Sequence, residues 1–195
     1  MDLLQNNKNV TIRTKFVESE LLYIGNFRNI RDLDIQDIPV DSGLYAIRIK
    51  DINILPKEFK YELYNRCDNL LYVGIATKNL RKRLWQDELH AKNPATFFRS
   101  IGAMLNYLPP KGSLFGKKNG CNYKFSSEDK EKIIMWMKSS LLINFITCND
   151  DLKTIEKLII KKYCPIINID HNPQPFKPLQ KLRKKCLDFA RNQNM

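Results

Sequence analysis

The segment Gly43-Leu44-Tyr45-Ala46-Ile47-Arg48-Ile49-Lys50 alternates along the chain. Tyr45, Ile47 and Ile49 fall on one face and Arg48 and Lys50 on the other, which predicts a strand. Leu70-Leu71-Tyr72-Val73-Gly74 predicts a second short strand closed by glycine. Between them, residues 51–69 carry Pro56 and several charges and read as an insertion or a long hairpin arm. The period then changes. Residues 79–90 predict a helix, with Leu80 and Leu84 one turn apart. Asn93-Pro94 supplies a capping residue and a proline at the next helix start. Phe97, Ile101, Leu105 and Leu108 form its buried stripe, and Pro109-Pro110 stops it.

Residues 109–125 hold three glycines and four lysines and read as a mobile basic loop. Ser126 with Asp129 opens a helix to about Lys138. Leu141–Ile146 reads as a strand. Asn149 or Asp150 caps a helix whose apolar side is Leu152, Ile155 and Ile159, with Pro165 just beyond its end. Ile166–Ile169 reads as a last short strand. From Pro178 a C-terminal helix sets Leu182, Cys186 and Phe189 on one side. The first 40 residues read as an extension with a strand at Leu21–Ile24, where Tyr23-Ile24-Gly25 would be a strand end with a glycine turn. Short strands interleaved with helices predict a small α/β or α+β domain. Its central sheet would be mostly antiparallel, of about three strands, flanked by helices. The expected organisation is an N-terminal extension over 1–40, a core domain over 41–172 with its insertion at 51–69, and a basic C-terminal helix over 173–195.

With 195 residues, the chain is long enough for one domain with a sizeable core. A hydrophobic fraction of 43% with 28% charged residues excludes a disordered chain. No apolar run reaches bilayer length. Met1–Asn7 lacks the basic-then-apolar pattern of a signal peptide. Together these point to the cytoplasm and away from a membrane. Lys plus Arg number 33 against 21 Asp plus Glu, a formal charge of +12. Such a balance fits a polyanionic partner. The cysteines, Cys67, Cys121, Cys148, Cys164 and Cys186, form no CxxC, and only His90 and His171 could join them. A local zinc site is therefore excluded, and all five read as small buried hydrophobes in a reducing compartment. The loop at 111–120 lacks the phosphate-cradling GxxxxGK[ST] arrangement, which argues against nucleotide binding.

Hydrolysis of a phosphodiester needs a base for water, a carboxylate-held divalent cation and a cation or donor for the transition state. Tyr45 and Tyr72 lie on adjacent predicted strands. Gly74 would let a phosphate approach the backbone. Arg83 and His90 are seven residues apart, which places them on one face of an α-helix. Glu156 sits one position off an apolar stripe, where it could reach a cleft, and Asn168 follows twelve residues on.

Gly43-Leu44-Tyr45 and Tyr72-Val73-Gly74 resemble the two signature tripeptides of the GIY-YIG nuclease family. Lys78-Asn79-Leu80-Arg81-Lys82-Arg83-Leu84 is similar to its Arg-bearing helix. Glu156 and Tyr163-Cys164-Pro165-Ile166-Ile167-Asn168 resemble its metal-binding Glu helix and terminal Asn. The match runs across residues 43–172 with the motifs in order. The general likeness is to the nuclease domain of the bacterial excision-repair incision enzyme and to stand-alone members, some of them restriction enzymes. The resemblance implies a fold of that type and a metal-dependent endonuclease acting on DNA. Tyr45 and Tyr72 would flank the attacking water, one of them taking its proton. Arg83 would contact the phosphate, Glu156 would hold one Mg²⁺ or Mn²⁺, and Asn168 would brace the site. His90 would assist.

The chain departs from the family in three places. The gap between the tripeptides is longer, Arg83 lies one residue further from Tyr72, and His90 comes two turns after Arg83 rather than one. Arg81 or Lys82 could then serve as the phosphate contact. Lys117, Lys118, Lys181, Arg183, Lys184 and Lys185 are candidate nucleic-acid contacts that would position DNA without reading its sequence. A single-metal site cuts one strand at a time, so cutting a duplex would call for a homodimer.

Each residue taken singly has a plainer reading. Tyr45 and Tyr72 could be packed strand tyrosines, and Arg83 a solvated charge. Glu156 could pair with Lys153, and Asn168 could satisfy a turn. His90 could sit at a helix end, His171-Asn172-Pro173 could be a turn, and Phe97 and Phe98 core. The whole chain could also be a nucleic-acid-binding module on the same fold that does not cut. The carboxylate, arginine and two tyrosines together favour the enzyme.

Overall fold

The computed structural model describes residues 14–66, 68–118 and 120–192. The readings of Met1–Asn7 and of Cys67 lie outside these residues. Four strands form one antiparallel sheet: β1 (Arg28–Asn29), β2 (Gly43–Ile49), β3 (Leu70–Ala76) and β4 (Leu141–Thr147), in the order β1-β4-β2-β3. The added strand is the two-residue β1, which carries no alternation long enough to read. Around the sheet lie helix α1 (residues 14–22), α2 (Lys57–Arg66), a π-helical turn segment (Arg81–Leu89), α3 (Thr96–Met104), α4 (Ser127–Ser140), α5 (Leu152–Tyr163) and α6 (Lys177–Arg191). None of the described helices is long and apolar enough to cross a membrane.

Helices cover both faces of the sheet. Leu44, Ala46, Leu70 and Val73 pack with Val17 and Leu21 of α1 and with Leu152, Ile155 and Ile159 of α5. Tyr45, Ile47, Ile49, Leu71 and Tyr72 pack on the other side with α3, α4 and α6. Arg48, on the face opposite Tyr45, is drawn in and paired with Asp68 at 2.6 Å. The pairing of β2 with β3 slips between Ile47 and Arg48, so Ile47 faces Tyr72 while Arg48 faces Leu70. The extra residue, Leu71, is a bulge, and bulges re-aim neighbouring side chains. Leu71 and Tyr72 thus share the face that Tyr45 occupies.

Several expected elements take a different form. Leu21–Ile24 is no strand. Thr14, Val17 and Leu21 are buried at helical spacing, so the Leu-Leu run is the end of α1, and residues 24–26 form a 3-10 turn. The stretch read as a hairpin arm contains α2, which starts just after Pro56 and buries Phe59 and Leu63 one turn apart. Helix α3 begins at Thr96 and ends at Met104, short of Leu108. The loop at 109–125 is tied to α6 by Gly112 N–H to Phe189 O at 3.1 Å and Leu114 N–H to Ala190 O at 2.7 Å. Ser126 caps α4 as its spacing predicts, whereas α5 is capped by Asp151 rather than by its two predecessors. Cys148 and Cys186 are buried, but Cys164 is partly exposed and Cys121 exposed, against the reading of all as core.

Ile166–Ile169 is not a strand either. Ile167 N–H reaches Leu71 O at 2.9 Å. At the next position the Asn168 side chain replaces the main chain: its Oδ1 accepts from Val73 N–H and its Nδ2 donates to Val73 O, both at 2.9 Å. The segment is held from both sides. Asn172 Nδ2 donates to Pro165 O and Asn168 O. Arg66, at the end of α2, donates to Cys164 O and Gln174 O.

Candidate active site

Tyr45 faces Gly74 across the β2–β3 ladder. A Cβ at position 74 would lie 2.6 Å from the Tyr45 Cζ and Oη and 2.8 Å from Tyr72 Cε1. Gly74 therefore makes room for two aromatic rings. The rings of Tyr45 and Tyr72 are 6.1 Å apart at 41°, and Phe97 lies 5.3 Å beyond Tyr72. Tyr45 is fully buried, whereas Tyr72 reaches the surface of a cleft.

That cleft, of about 630 Å³, is lined by Tyr72, Glu156, Asn168, Asp170, Arg99 and Arg183, among others. Glu156 arrives there because Ile155 and Ile159 pin α5 to the sheet. Burying each of these is worth roughly 1.5–3 kcal/mol, which fixes the helix's rotation. The next residue then projects along the cleft edge. Among the described residues its carboxylate makes neither hydrogen bond nor ion pair, so Lys153, the partner of its plainer reading, is not engaged. Burial pushes the Glu156 carboxyl up to about 7; the Arg83 charge opposes this and Asp170 adds to it.

Arg83 lies on the π-helical segment and donates to Glu88 at 2.7 Å. Burial works against its charge, but Tyr45, Glu88 and Tyr72 outweigh burial and hold its pKa above the usual arginine range. Burial likewise raises both tyrosines, with Glu88 adding to it and Arg83 opposing it.

His90 is not brought to this cluster. The seven-residue argument assumed α geometry, and the wider π turns break it. Instead the ring stacks on Trp85 at 4.4 Å with Nδ1 2.8 Å from Trp85 O. Burial lowers its pKa. Arg81 is tied to Ile38 O at 2.8 Å, and Lys82 is exposed. Lys117 and Lys118 are exposed on the loop before α4. The basic run of α6 divides. Arg183 and Lys184 line the cleft, while Lys181 and Lys185 line a separate groove with Lys57 and Phe59 of α2.

Arg99, Asp170 and Glu88 were not singled out from the sequence, and His171 was read only as part of a turn. Arg99 reaches the cleft from α3, donating to Cys121 O and Asn122 Oδ1 at 2.8 Å and lying over the Tyr123 ring at 5.6 Å. No local pattern distinguishes it. Asp170 and His171 follow Asn168 on the cleft-lining turn, where His171 takes φ 62°. Glu88 is fully buried. Its signal was present, since positions 80, 84 and 88 continue one stripe and a carboxylate stands where a leucine would fit.

The arrangement can hold a divalent cation on oxygen. Among the described residues no three His, Cys, Asp or Glu side chains converge. One unpartnered half-buried carboxylate in an open cleft nonetheless suits magnesium, which keeps several waters and takes one or two carboxylates plus phosphate oxygens. A family model described as the GIY-YIG catalytic domain matches residues 43–185. No curated protein and no solved structure matches the chain.

Proposed function

The chain belongs to the GIY-YIG nuclease family, and from that membership we propose that it is an endonuclease hydrolysing phosphodiester bonds in DNA with one Mg²⁺ or Mn²⁺ held by Glu156. The observation that carries this is a half-buried carboxylate without a partner, sharing a cleft with Tyr72, Asn168 and two arginines. When bound, the metal would neutralise charge on the phosphate and the leaving oxygen. The chain's own groups do the rest. Tyr45 and Tyr72 flank the attacking water, and one of them takes up its proton as a phenolate, a form that the Arg83 charge favours and burial and Glu88 oppose. Arg83 offers the guanidinium edge not used by Glu88 to the phosphate, stabilising the transition state. Asn168 ties the strand that carries Tyr72 to the turn that lines the cleft. Arg99, Arg183 and Lys184 attract the strand's flanking phosphates, and Lys181 and Lys185 extend the positive surface beyond. Supercoiled plasmid and labelled single- and double-stranded oligonucleotides, incubated with magnesium or with EDTA, test the reading. Cutting that EDTA abolishes supports it. Salt-sensitive binding without cutting on any substrate would instead favour a binding module.

The raised Glu156 carboxyl sets a pH dependence. Its folded value of about 7 lies above the ordinary 4.5, so between these values the native state holds more protons than the unfolded chain. The stability it contributes is present below 4.5 and is lost as pH rises through 7. The metal-free protein should therefore lose stability between pH 5 and 8, and Glu156→Gln should flatten that slope in thermal melts. Protons and cation compete for the same oxygens. Magnesium affinity measured by calorimetry should consequently fall about tenfold per pH unit below 7. Affinity independent of pH would remove Glu156 as the ligand.

A further inference from the structure

Glu88 is a buried carboxylate whose oxygens are all engaged. Oε1 accepts from Arg83 Nη2 at 2.7 Å and from the Tyr45 hydroxyl at 3.2 Å, and Oε2 accepts from Phe97 N–H at 3.0 Å in the first turn of α3. Taking a carboxylate out of water costs several kcal/mol, and a hydrophobic residue of similar volume would fill the site without that cost. The neighbours at 84 and 89 are buried leucines. The charge is thus a local expense whose effect must be sought in what it holds.

It holds two things. Arg83 and Glu88 are five residues apart, a separation that an α-helix would place on different faces. The π-helical turns over Arg81–Leu89 close that gap. The guanidinium keeps further donors free, and a third of the side chain remains exposed. Tyr45 is fully buried and its hydroxyl hydrogen is committed to the carboxylate, which favours the protonated phenol. Tyr72, on the same face of the sheet, opens onto the cleft.

We propose that Glu88 is the positioning residue of this site: it aims Arg83 and fixes Tyr45 as a hydrogen-bond donor, leaving Tyr72 as the tyrosine that meets the attacking water. The inference rests on the nuclease reading and divides the roles of the two tyrosines, which that reading alone leaves equivalent.

The test is a double-mutant cycle on magnesium-dependent DNA cleavage with Glu88→Gln, Arg83→Ala and both together. Glutamine preserves volume and an acceptor for Phe97 N–H but removes the charge. Glu88→Gln should lower kcat about 10- to 100-fold while KM moves less than threefold. In the Arg83→Ala background it should cost less than threefold more. Losses that multiply in full, or a Glu88→Gln enzyme with wild-type kcat, overturn the proposal. Tyr45→Phe and Tyr72→Phe provide a second line that leaves the buried charge in place. Tyr45→Phe should lose about tenfold or less and Tyr72→Phe more than a hundredfold, whereas equal losses overturn the division of roles. A wild-type chain that cuts no DNA defeats the nuclease reading and this inference with it. A cutting wild type with additive variants defeats this inference alone.

Discussion

Glu156→Ala is expected to lower DNA cleavage at saturating magnesium by at least about a thousandfold, and to leave DNA affinity in EDTA within about threefold of wild type. The first figure follows from the several kcal/mol of charge stabilisation that a metal supplies at a phosphoryl centre. The second follows from where the cations are: Arg99, Arg183 and Lys184 line the cleft independently of α5's carboxylate. Folding should survive. Glu156 makes no described hydrogen bond or ion pair, and burial already disfavours its charge, so the metal-free variant should melt no lower than wild type at pH 8. Single-turnover cleavage, anisotropy binding and a thermal melt separate the three quantities. Retained cleavage would show that the metal is held elsewhere. A melting point well below wild type would show that Glu156 has a packing role that its open position does not reveal.

Gly74→Ala is expected to damage both the stability and the cleavage activity of this site. Its Cβ would stand 2.6 Å from the Tyr45 hydroxyl end. A flexible side chain would move aside at little cost, but Tyr45 is fully buried and anchored to Glu88. On the other side the Tyr72 ring, 2.8 Å away, is backed by Phe97. Overpacking of this kind costs roughly 1–3 kcal/mol. In a chain of this size that corresponds to a drop of about 2–12 °C in Tm. Displacing the tyrosines by a fraction of an ångström should also reduce cleavage by about a hundredfold. Differential scanning calorimetry and cleavage rates measured well below the new Tm distinguish the two effects. A variant that melts and cuts like wild type would mean that the rings can separate freely.

What could be read from the sequence was whatever lies in a local pattern. Strands β2, β3 and β4, the cap of α4 and the apolar stripe of α5 all follow from short-range periodicity or spacing, whereas Tyr72, Glu156 and Asn168 stand out through the resemblance of their motifs to a family. The failures share a cause. Ile-Ile-Asn-Ile reads as a strand, but whether an asparagine pairs through its backbone or its amide depends on the edge it meets, 95 residues earlier in the chain. Arg83 and His90 share a face only if the helix is α, and nothing local announces the π turns. Arg99 enters the cleft through the packing of α3 against α6, a contact between segments some 80 residues apart. Glu88 was legible and overlooked, because a charged residue on an apolar stripe is easily taken for the end of the stripe.

The amide of Asn168 has a consequence beyond the cleft. In the order β1-β4-β2-β3, the long strand β3 is an edge of the sheet. A free edge of that length, rich in leucine and valine, is a template for strands of other molecules. Here the main-chain groups of Val73 are already taken by a side chain and Leu71 O by Ile167, while the opposite edge, β1, offers only two residues. The turn that lines the cleft therefore also guards the protein's colloidal behaviour: it closes the sheet to extension by a second chain and steers any self-association away from strand addition at β3.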